Sequence, residues 1–147
     1  MNLLRVYSPL LICCLLAFTS LARQVAYIDS LEQELLNKQP DTVRVRLLTS
    51  LANCYMLIDF SKSLQYARDA VALADKTEDS QSRLRANRDM ALMYMLGGDF
   101  TSALSHEKIA LQIADEEKDS TEIGRSYSNI GNYYYELGVY DESYYYL

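Results

Sequence analysis

Residues 90–100 read Met-Ala-Leu-Met-Tyr-Met-Leu-Gly-Gly-Asp-Phe, and related stretches occur at two other places in the chain. Residues 51–60 read Leu-Ala-Asn-Cys-Tyr-Met-Leu-Ile-Asp-Phe, and residues 130–140 read Ile-Gly-Asn-Tyr-Tyr-Tyr-Glu-Leu-Gly-Val-Tyr. Each stretch has a large apolar residue, a small residue beside it, an aromatic residue three positions later and a second aromatic residue at its end. Self-similarity at a fixed period predicts a stack of similar structural units, so this repeat decides the fold.

The repeat has a period of about 40 residues, because Phe60, Phe100 and Tyr140 lie 40 residues apart. In each unit we expect a first helix, a short turn that contains glycine in the second and third units, and a second helix that starts at this aromatic residue. Glycine suits such a turn because it adopts positive φ without steric cost. The pairs Asp79-Ser80 and Asp119-Ser120 follow the second helices and can cap the next helix.

The pattern resembles the tetratricopeptide repeat, whose first helix has a Leu-Gly pair followed by Tyr, and whose second helix has Ala twice. The residues that carry the resemblance are Leu51, Ala52, Tyr55, Phe60 and Ala70; Met90, Ala91, Tyr94, Gly98, Phe100, Ala103 and Ala110; and Tyr127, Ile130, Gly131, Tyr134, Gly138 and Tyr140, with Ser143 at an Ala position. The resemblance implies an all-α fold: an α-solenoid of antiparallel helix pairs in a tetratricopeptide-like right-handed superhelix. The low content of 5 Gly and 2 Pro agrees with long helices.

Two features depart from the family pattern. The unit is longer than the usual 34 residues or so, and the proline that normally follows the second helix is missing, which agrees with longer helices. The chain ends at Leu147 inside a second helix, so we expect the natural chain to continue or the array to be truncated. The predicted segments are a signal peptide at 1–22, an N-terminal capping helix and linker at 23–41, and tetratricopeptide-like repeats at 42–147, divided at about 42–80, 81–120 and 121–147.

The capping helix is predicted over residues 25–38, where Ile28, Leu31, Leu35 and Leu36 form an apolar stripe. Pro40 ends this helix, and Asp41 is expected to cap the helix that follows.

Residues 1–22 have the order of a secretory signal: Arg5, then an apolar run from Leu10 to Phe18, then Ser20 and Ala22 before a cleavage point. This run is shorter than the 20 or so residues that span a bilayer. The alternative is an uncleaved N-terminal anchor. A lipoprotein signal at Cys13 is disfavoured, because Ile12 is bulky. We therefore expect an exported protein, in the periplasm or on the extracytoplasmic face of the inner membrane.

Charge restricts the possible partners. The formal net charge is −6, and without residues 1–22 it becomes 13 minus 20, or −7. A nucleic-acid partner is therefore not expected for this segment, because binding to phosphates needs a basic surface. Contact with a membrane is expected only through an uncleaved signal or a later transmembrane helix.

The sequence offers no recognisable catalytic or metal-binding set, so no enzyme activity, metal or cofactor is expected in this segment. His106 is the only histidine and is interpreted as a solvated surface residue. Cys54 is the only cysteine after the signal and is interpreted as a small packed residue. The run Asp115–Asp119 lacks the glycine and spacing of a calcium loop and is interpreted as a solvated helix end.

The resemblance implies that the first helices line a concave peptide-binding groove. The residues that it places there are Arg46, Asn53, Met56, Arg85, Arg88, Asp89, Leu92, Met95, Arg125, Asn129, Asn132 and Tyr135. Arg46, Arg85 and Arg125 hold equivalent positions, and such a column could bind peptide carboxylates bidentately. The alternative is that these arginines pair with nearby acids on a solvated face.

Tyrosine is in excess, with 13 in the chain, and Tyr133-Tyr134-Tyr135 must turn at least one ring away from the core. Such rings suit an interface or contact with a further repeat. The predicted function is a non-catalytic module that binds a protein or peptide. The alternative is the N-terminal sensor region of a membrane-bound signalling protein, since exported arrays of this kind resemble those of bacterial sensor histidine kinases and helix-turn-helix regulators.

Overall fold

The computed structural model describes residues 22–147, and all regular secondary structure within that range is helical. Residues 22–36 form helix α1. The remaining helices are α2 (Asp41–Tyr55), α3 (Phe60–Ala74), α4 (Ser80–Leu96), α5 (Phe100–Glu116), α6 (Ser120–Glu136) and α7 (Tyr140–Tyr146). The predicted signal peptide, with Cys13 and Cys14, lies outside the described residues except for Ala22. The all-α solenoid prediction is confirmed, and the second helices begin at the three predicted aromatic residues.

Helix α1 and the segment from Lys38 to Leu147 form two separate compact units. In α1, Ile28 and Leu31 are buried. The expectation for Leu36 was wrong, since this side chain is 79% exposed at the last helical residue, where the chain leaves the helix. None of the described helices is long and apolar enough to cross a membrane.

Aspartate side chains begin four successive helices at intervals of 20 residues. Asp59, Asp79, Asp99 and Asp119 are the N-caps of α3 to α6, and each accepts a hydrogen bond from a backbone N–H in the first turn. These bonds satisfy amide groups that have no partner inside the helix. The predicted caps before α4 and α6 are confirmed. The prediction for Asp41 was wrong, because Pro40 is the N-cap of α2 and Asp41 instead pairs with Arg44 at 3.3 Å.

Consecutive helices from α2 to α7 pack against each other in chain order, and small residues lie where they cross. Ala52 and Ala91 are fully buried, and a β-carbon added to Gly131 would lie 2.7 Å from Cγ of Leu147. Close helix crossing requires such short side chains. The hydroxyl of Ser63 on α3 also donates a hydrogen bond to the carbonyl of Ala52 on α2 at 2.7 Å. The predicted role of the repeated small residues is confirmed.

The turns after α4 and α6 contain residues with left-handed backbone conformation. Gly98 has φ of 78° and Gly138 has φ of 74°. The backbone then closes with hydrogen bonds from Asp99 to the carbonyl of Tyr94 and from Val139 to the carbonyl of Tyr134, both 2.9 Å long. These bonds satisfy carbonyl groups at the helix ends.

The three consecutive tyrosines of α6 point in different directions, as predicted. Tyr133 is 4% exposed and packs with Ala91 and Ala103, whereas Tyr135 is 60% exposed. Tyr134 is half-buried and stacks on Tyr146. One ring of the three therefore belongs to the core, and one lies on the surface.

Candidate binding groove

Side chains from the first helices of the three units, α2, α4 and α6, line a polar cavity of about 330 Å³. The lining residues are Arg46, Thr49, Ser50, Asn53, Gln81, Leu84, Arg85, Arg88, Asp89, Glu122 and Arg125. A smaller cavity of about 170 Å³ lies beside it, lined by Thr42, Val43, Val45, Arg46, Asp79, Gln81, Ser82 and Arg85. Arg46, Gln81 and Arg85 line both cavities, so the two form one groove along the first helices.

Half of the twelve residues predicted for the groove line the larger cavity, namely Arg46, Asn53, Arg85, Arg88, Asp89 and Arg125. Each apolar member of the predicted set instead packs on a core cluster. Met56 and Leu92 pack on the cluster around Met93, and Met95 packs on the cluster around Tyr133. Their burial removes apolar area from water, which a solvated groove would not do.

The other predicted residues belong to α6. Asn129 donates a hydrogen bond to the Glu107 carboxylate at 3.1 Å, so its amide is used inside the array. Asn132 is exposed, and Tyr135 packs edge-on against Tyr140 at 5.6 Å between ring centroids. None of these three side chains lines the two cavities described above.

A buried carboxylate contacts one of the arginines that line the groove. Glu107 on α5 is completely buried. Its Oε1 accepts a hydrogen bond from the Ser126 hydroxyl at 2.8 Å and lies 3.5 Å from Nε of Arg88. A buried charge is tolerated only when it is paired and hydrogen-bonded, so these contacts explain how α5 accommodates Glu107.

The same arginine also reaches a second acid. Arg88 Nη1 bonds Glu122 Oε2, and Arg88 Nη2 donates to the Ser126 hydroxyl at 3.2 Å. The buried Nε of Arg88 has no hydrogen-bond partner among the described residues and lies beside the Glu107 carboxylate. Arg125 pairs with the other oxygen of Glu122 at 3.4 Å.

Of the three arginines in the column, Arg125 therefore pairs with a local acid, as the alternative described. Neither Arg46 nor Arg85 forms an ion pair within 4.0 Å with any residue between 22 and 147. The column of equivalent arginines is thus unequal. Arg125 pairs with Glu122 while its side chain stays 54% exposed, whereas the guanidinium groups of the members on α2 and α4 have no such pair within residues 22–147. The charge of Arg85 nevertheless acts on Asp79 and Asp89.

Among the acids that line the groove, Asp89 has a pKa far from its usual value. Burial raises the pKa of its carboxyl to about 6, although Arg85, Arg88 and a hydrogen bond involving Asn53 act in the opposite direction. Desolvation disfavours the charged form of a carboxyl group, and here it outweighs two nearby cations. Asp89 is therefore partly protonated in mildly acidic solution.

Sequence analysis missed Glu107 and Glu122. A signal for Glu107 was present, because it falls in line with Ala103, Ala110 and Ala114 on one face of α5. These three alanines are completely buried, and helical spacing places the glutamate among them. Glu122 gave a local signal only, since its place three residues before Arg125 on one helix predicts that pair but not the contact with Arg88.

The interpretation of His106 as a solvated residue was wrong. Its Nδ1 lies 3.0 Å from Asn87 Oδ1, and its ring stacks on Tyr94 at 5.5 Å between centroids, because this side of α5 faces α4. Burial lowers the pKa of His106, and the charge of Asp75 partly opposes this.

For Cys54, burial raises the pKa of the thiol. Within residues 22–147, no three His, Cys, Asp or Glu side chains are grouped to hold a metal ion.

Solved structures of helical-repeat proteins resemble this chain. The TPR domain of Arabidopsis FLU is 18% identical with a TM-score of 0.67, covering 73% of this chain and 91% of that domain. Aspartyl phosphate phosphatase F from Bacillus subtilis is 20% identical with a TM-score of 0.70, covering 84% of this chain. BtubC from P. vanneervenii is 18% identical with a TM-score of 0.67, covering 85% of this chain.

The chain spans 36% of the length of the phosphatase chain and 52% of the BtubC chain. No protein-family profile matches the sequence, and no curated protein matches it. At these identities the likeness concerns the fold, which is that of tetratricopeptide-like helical repeats.

Proposed function

We propose that the repeats of this chain bind a protein or peptide segment in the groove along α2, α4 and α6, without catalysing a reaction. The observation that carries the proposal is the polar cavity of about 330 Å³ bordered by four arginines. Arginine presents a planar set of donors that matches carboxylate oxygens, so such a groove favours a peptide with acidic side chains.

The other lining groups suit an extended peptide backbone. Ser50, Asn53 and Gln81 offer both hydrogen-bond donors and acceptors along the same cavity. An extended segment exposes alternating N–H and C=O groups, which must find partners once they leave water. We therefore propose that these side chains hold the backbone while the arginines select acidic side chains.

The first experiment compares the purified protein with the variant Arg85→Glu plus Arg125→Glu on an array of acidic peptides. We expect weaker capture by a variant that still folds, because both side chains lie at the groove and outside the core. The acid-poor peptides on the same array are the control. Equal capture of acidic peptides by both proteins would refute the groove proposal.

We also propose that the chain is exported, on the basis of the apolar run from Leu10 to Phe18 followed by Ser20 and Ala22. N-terminal sequencing of the protein from a secreting host tests this. A first residue of Arg23 is expected, and an intact Met1 in the cytoplasmic fraction would contradict export. The sensor-region alternative predicts a segment of about 20 apolar residues encoded beyond Leu147.

A further inference from the structure

We propose that the groove binds one carboxylate side chain of its ligand between Arg46 and Arg85, and does not bind acids equally along the arginine column. This inference rests on the proposed function and deepens it. The arginines of α2 and α4 would bind the carboxylate of a single Glu or Asp, and Arg88 and Arg125 would form the wall of the groove.

The first argument is the distribution of internal partners. Arg88 is held by Glu122, by Ser126 and by the charge of buried Glu107, and Arg125 is held by Glu122. A ligand carboxylate at either arginine would have to displace an existing partner or share it. Removing a partner from a buried charge is costly, so binding at Arg88 carries a penalty that Arg46 and Arg85 do not impose. The pair of Arg125 with Glu122 is a more exposed one, so displacing it costs less.

The second argument is position. Arg46 on α2 and Arg85 on α4 are repeat equivalents, 39 residues apart in sequence. Both line the larger and the smaller cavity, and Gln81 is the only other residue to do so. A carboxylate placed where the cavities adjoin would have a guanidinium on each side and an amide donor beside it.

The third argument concerns the acids that border this position. Asp79 lines the smaller cavity, but its Oδ2 already accepts the backbone N–H of Ser82 at 2.7 Å as a helix cap. Asp89 lines the larger cavity. Burial raises the pKa of its carboxyl group, and a hydrogen bond involving Asn53 partly opposes this. Two nearby carboxylates limit the negative charge that the site accepts, so it suits a singly charged carboxylate better than a doubly charged phosphate.

The test uses the full chain and fluorescent decapeptides in which one Glu is placed at each position of a neutral Ser/Gln background. The matched series has Gln in place of that Glu. Wherever a peptide of the Glu series binds, we expect it to bind at least about tenfold more tightly than the matched Gln peptide. A charge-assisted hydrogen-bonded pair contributes about this much. Arg46→Gln and Arg85→Gln should each abolish this Glu-over-Gln preference, and the matched control Arg125→Gln should retain it.

The outcomes separate the two proposals. If the peptides bind but Arg125→Gln loses the Glu-over-Gln preference as fully as Arg46→Gln, the carboxylate does not lie between Arg46 and Arg85. The proposal that the groove binds a peptide would still hold. If no peptide binds the parent protein, both proposals fail. A phosphoserine series that binds more tightly than the Glu series would overturn the assignment to a single carboxylate. Arg46→Lys, which keeps the charge, should retain part of the preference and guards against an effect of lost packing.

Discussion

Glu107 Oε1 lies 3.5 Å from Nε of Arg88, which places a fully buried carboxylate of α5 against an arginine of α4 that also borders the groove. The hydroxyl of Ser126 on α6 bonds to both side chains. This arrangement joins the second and third repeats through charge and hydrogen bonds. It also holds Arg88 at the border of the groove.

Removing the buried carboxylate should destabilise the array strongly. Glu107→Ala removes the carboxylate beside Nε of Arg88, which then keeps only Glu122, and leaves the buried Ser126 hydroxyl without this acceptor. We therefore expect a loss of about 3–5 kcal/mol in the free energy of unfolding. Urea unfolding followed by circular dichroism measures it. Glu117→Ala, at an exposed position just beyond α5, is the control and should change stability by less than about 0.5 kcal/mol.

A double variant distinguishes a lost charge pair from a general packing defect. Glu107→Met with Arg88→Met replaces both charges by apolar groups, and we expect it to recover most of the lost stability, since buried pairs are often replaceable by apolar residues. A double variant as unstable as Glu107→Ala would show that shape at this site matters more than charge.

The raised pKa of Asp89 predicts that this residue lowers the free energy of unfolding at neutral pH but not in acid. Because folding raises this pKa from 3.8 to about 6, the contribution of Asp89 to stability is fully present below pH 3.8 and is lost as pH rises through about 6. Asp89→Asn should therefore increase the free energy of unfolding at pH 7.5, by at most about 3 kcal/mol. The gain should shrink toward pH 4.5 in melting curves of parent and variant. A gain that is independent of pH would contradict this origin.

Overpacking tests the helix crossing at Ala91. Ala91 is completely buried against Ala103 and Tyr133, so Ala91→Leu should cost about 1–3 kcal/mol through displaced neighbours. Ala72→Leu introduces the same side chain at an exposed position of α3 and should leave the melting temperature nearly unchanged. Identical melting of both variants would mean that the crossing is looser than described.

Lys118 offers a site for a stabilising change. It has φ of 56° just beyond α5, a left-handed conformation that disfavours residues with a β-carbon. Lys118→Gly should raise the free energy of unfolding by up to about 1 kcal/mol. Lys118→Ala is the matched control, because it removes the charge and keeps the β-carbon. Equal stabilisation by both would assign the effect to charge, and the backbone explanation would then fail.

The fold could be predicted because its determinants are local and repeated. Aromatic residues at Phe60, Phe100 and Tyr140 start the second helices, and aspartates such as Asp79 and Asp119 form caps with neighbours two or three positions away. These contacts depend on spacing along the chain, which a sequence displays directly. The error at Asp41 arose because Pro40 can itself take the N-cap position.

The groove was less predictable because it depends on contacts between distant residues. Whether Arg88 is available depends on Glu107, which comes from the outer helix of the second repeat, and on Glu122 of the third. The pair of Glu122 with Arg125 is local, since the two are three residues apart on α6. Met56 and Leu92 were assigned to the groove from the family resemblance, but both pack on a neighbouring apolar cluster and are partly buried there. His106 was judged by its polar sequence neighbours, although it contacts Asn87 and Tyr94 on another helix and is half-buried.

The glutamate inside α5 also limits how this chain could be rebuilt from its own parts. Forty residues earlier, the position of Glu107 is occupied by Ala67, and those of its partners Ser126 and Asn129 by Ala86 and Asp89. If a copy of the second repeat were inserted directly after the original, the first glutamate would meet a methyl group and another acid in place of two donors. The junction between the second and third repeats is therefore specific to its two members, and duplication or shuffling of single repeats should yield an unstable chain unless that glutamate is changed as well.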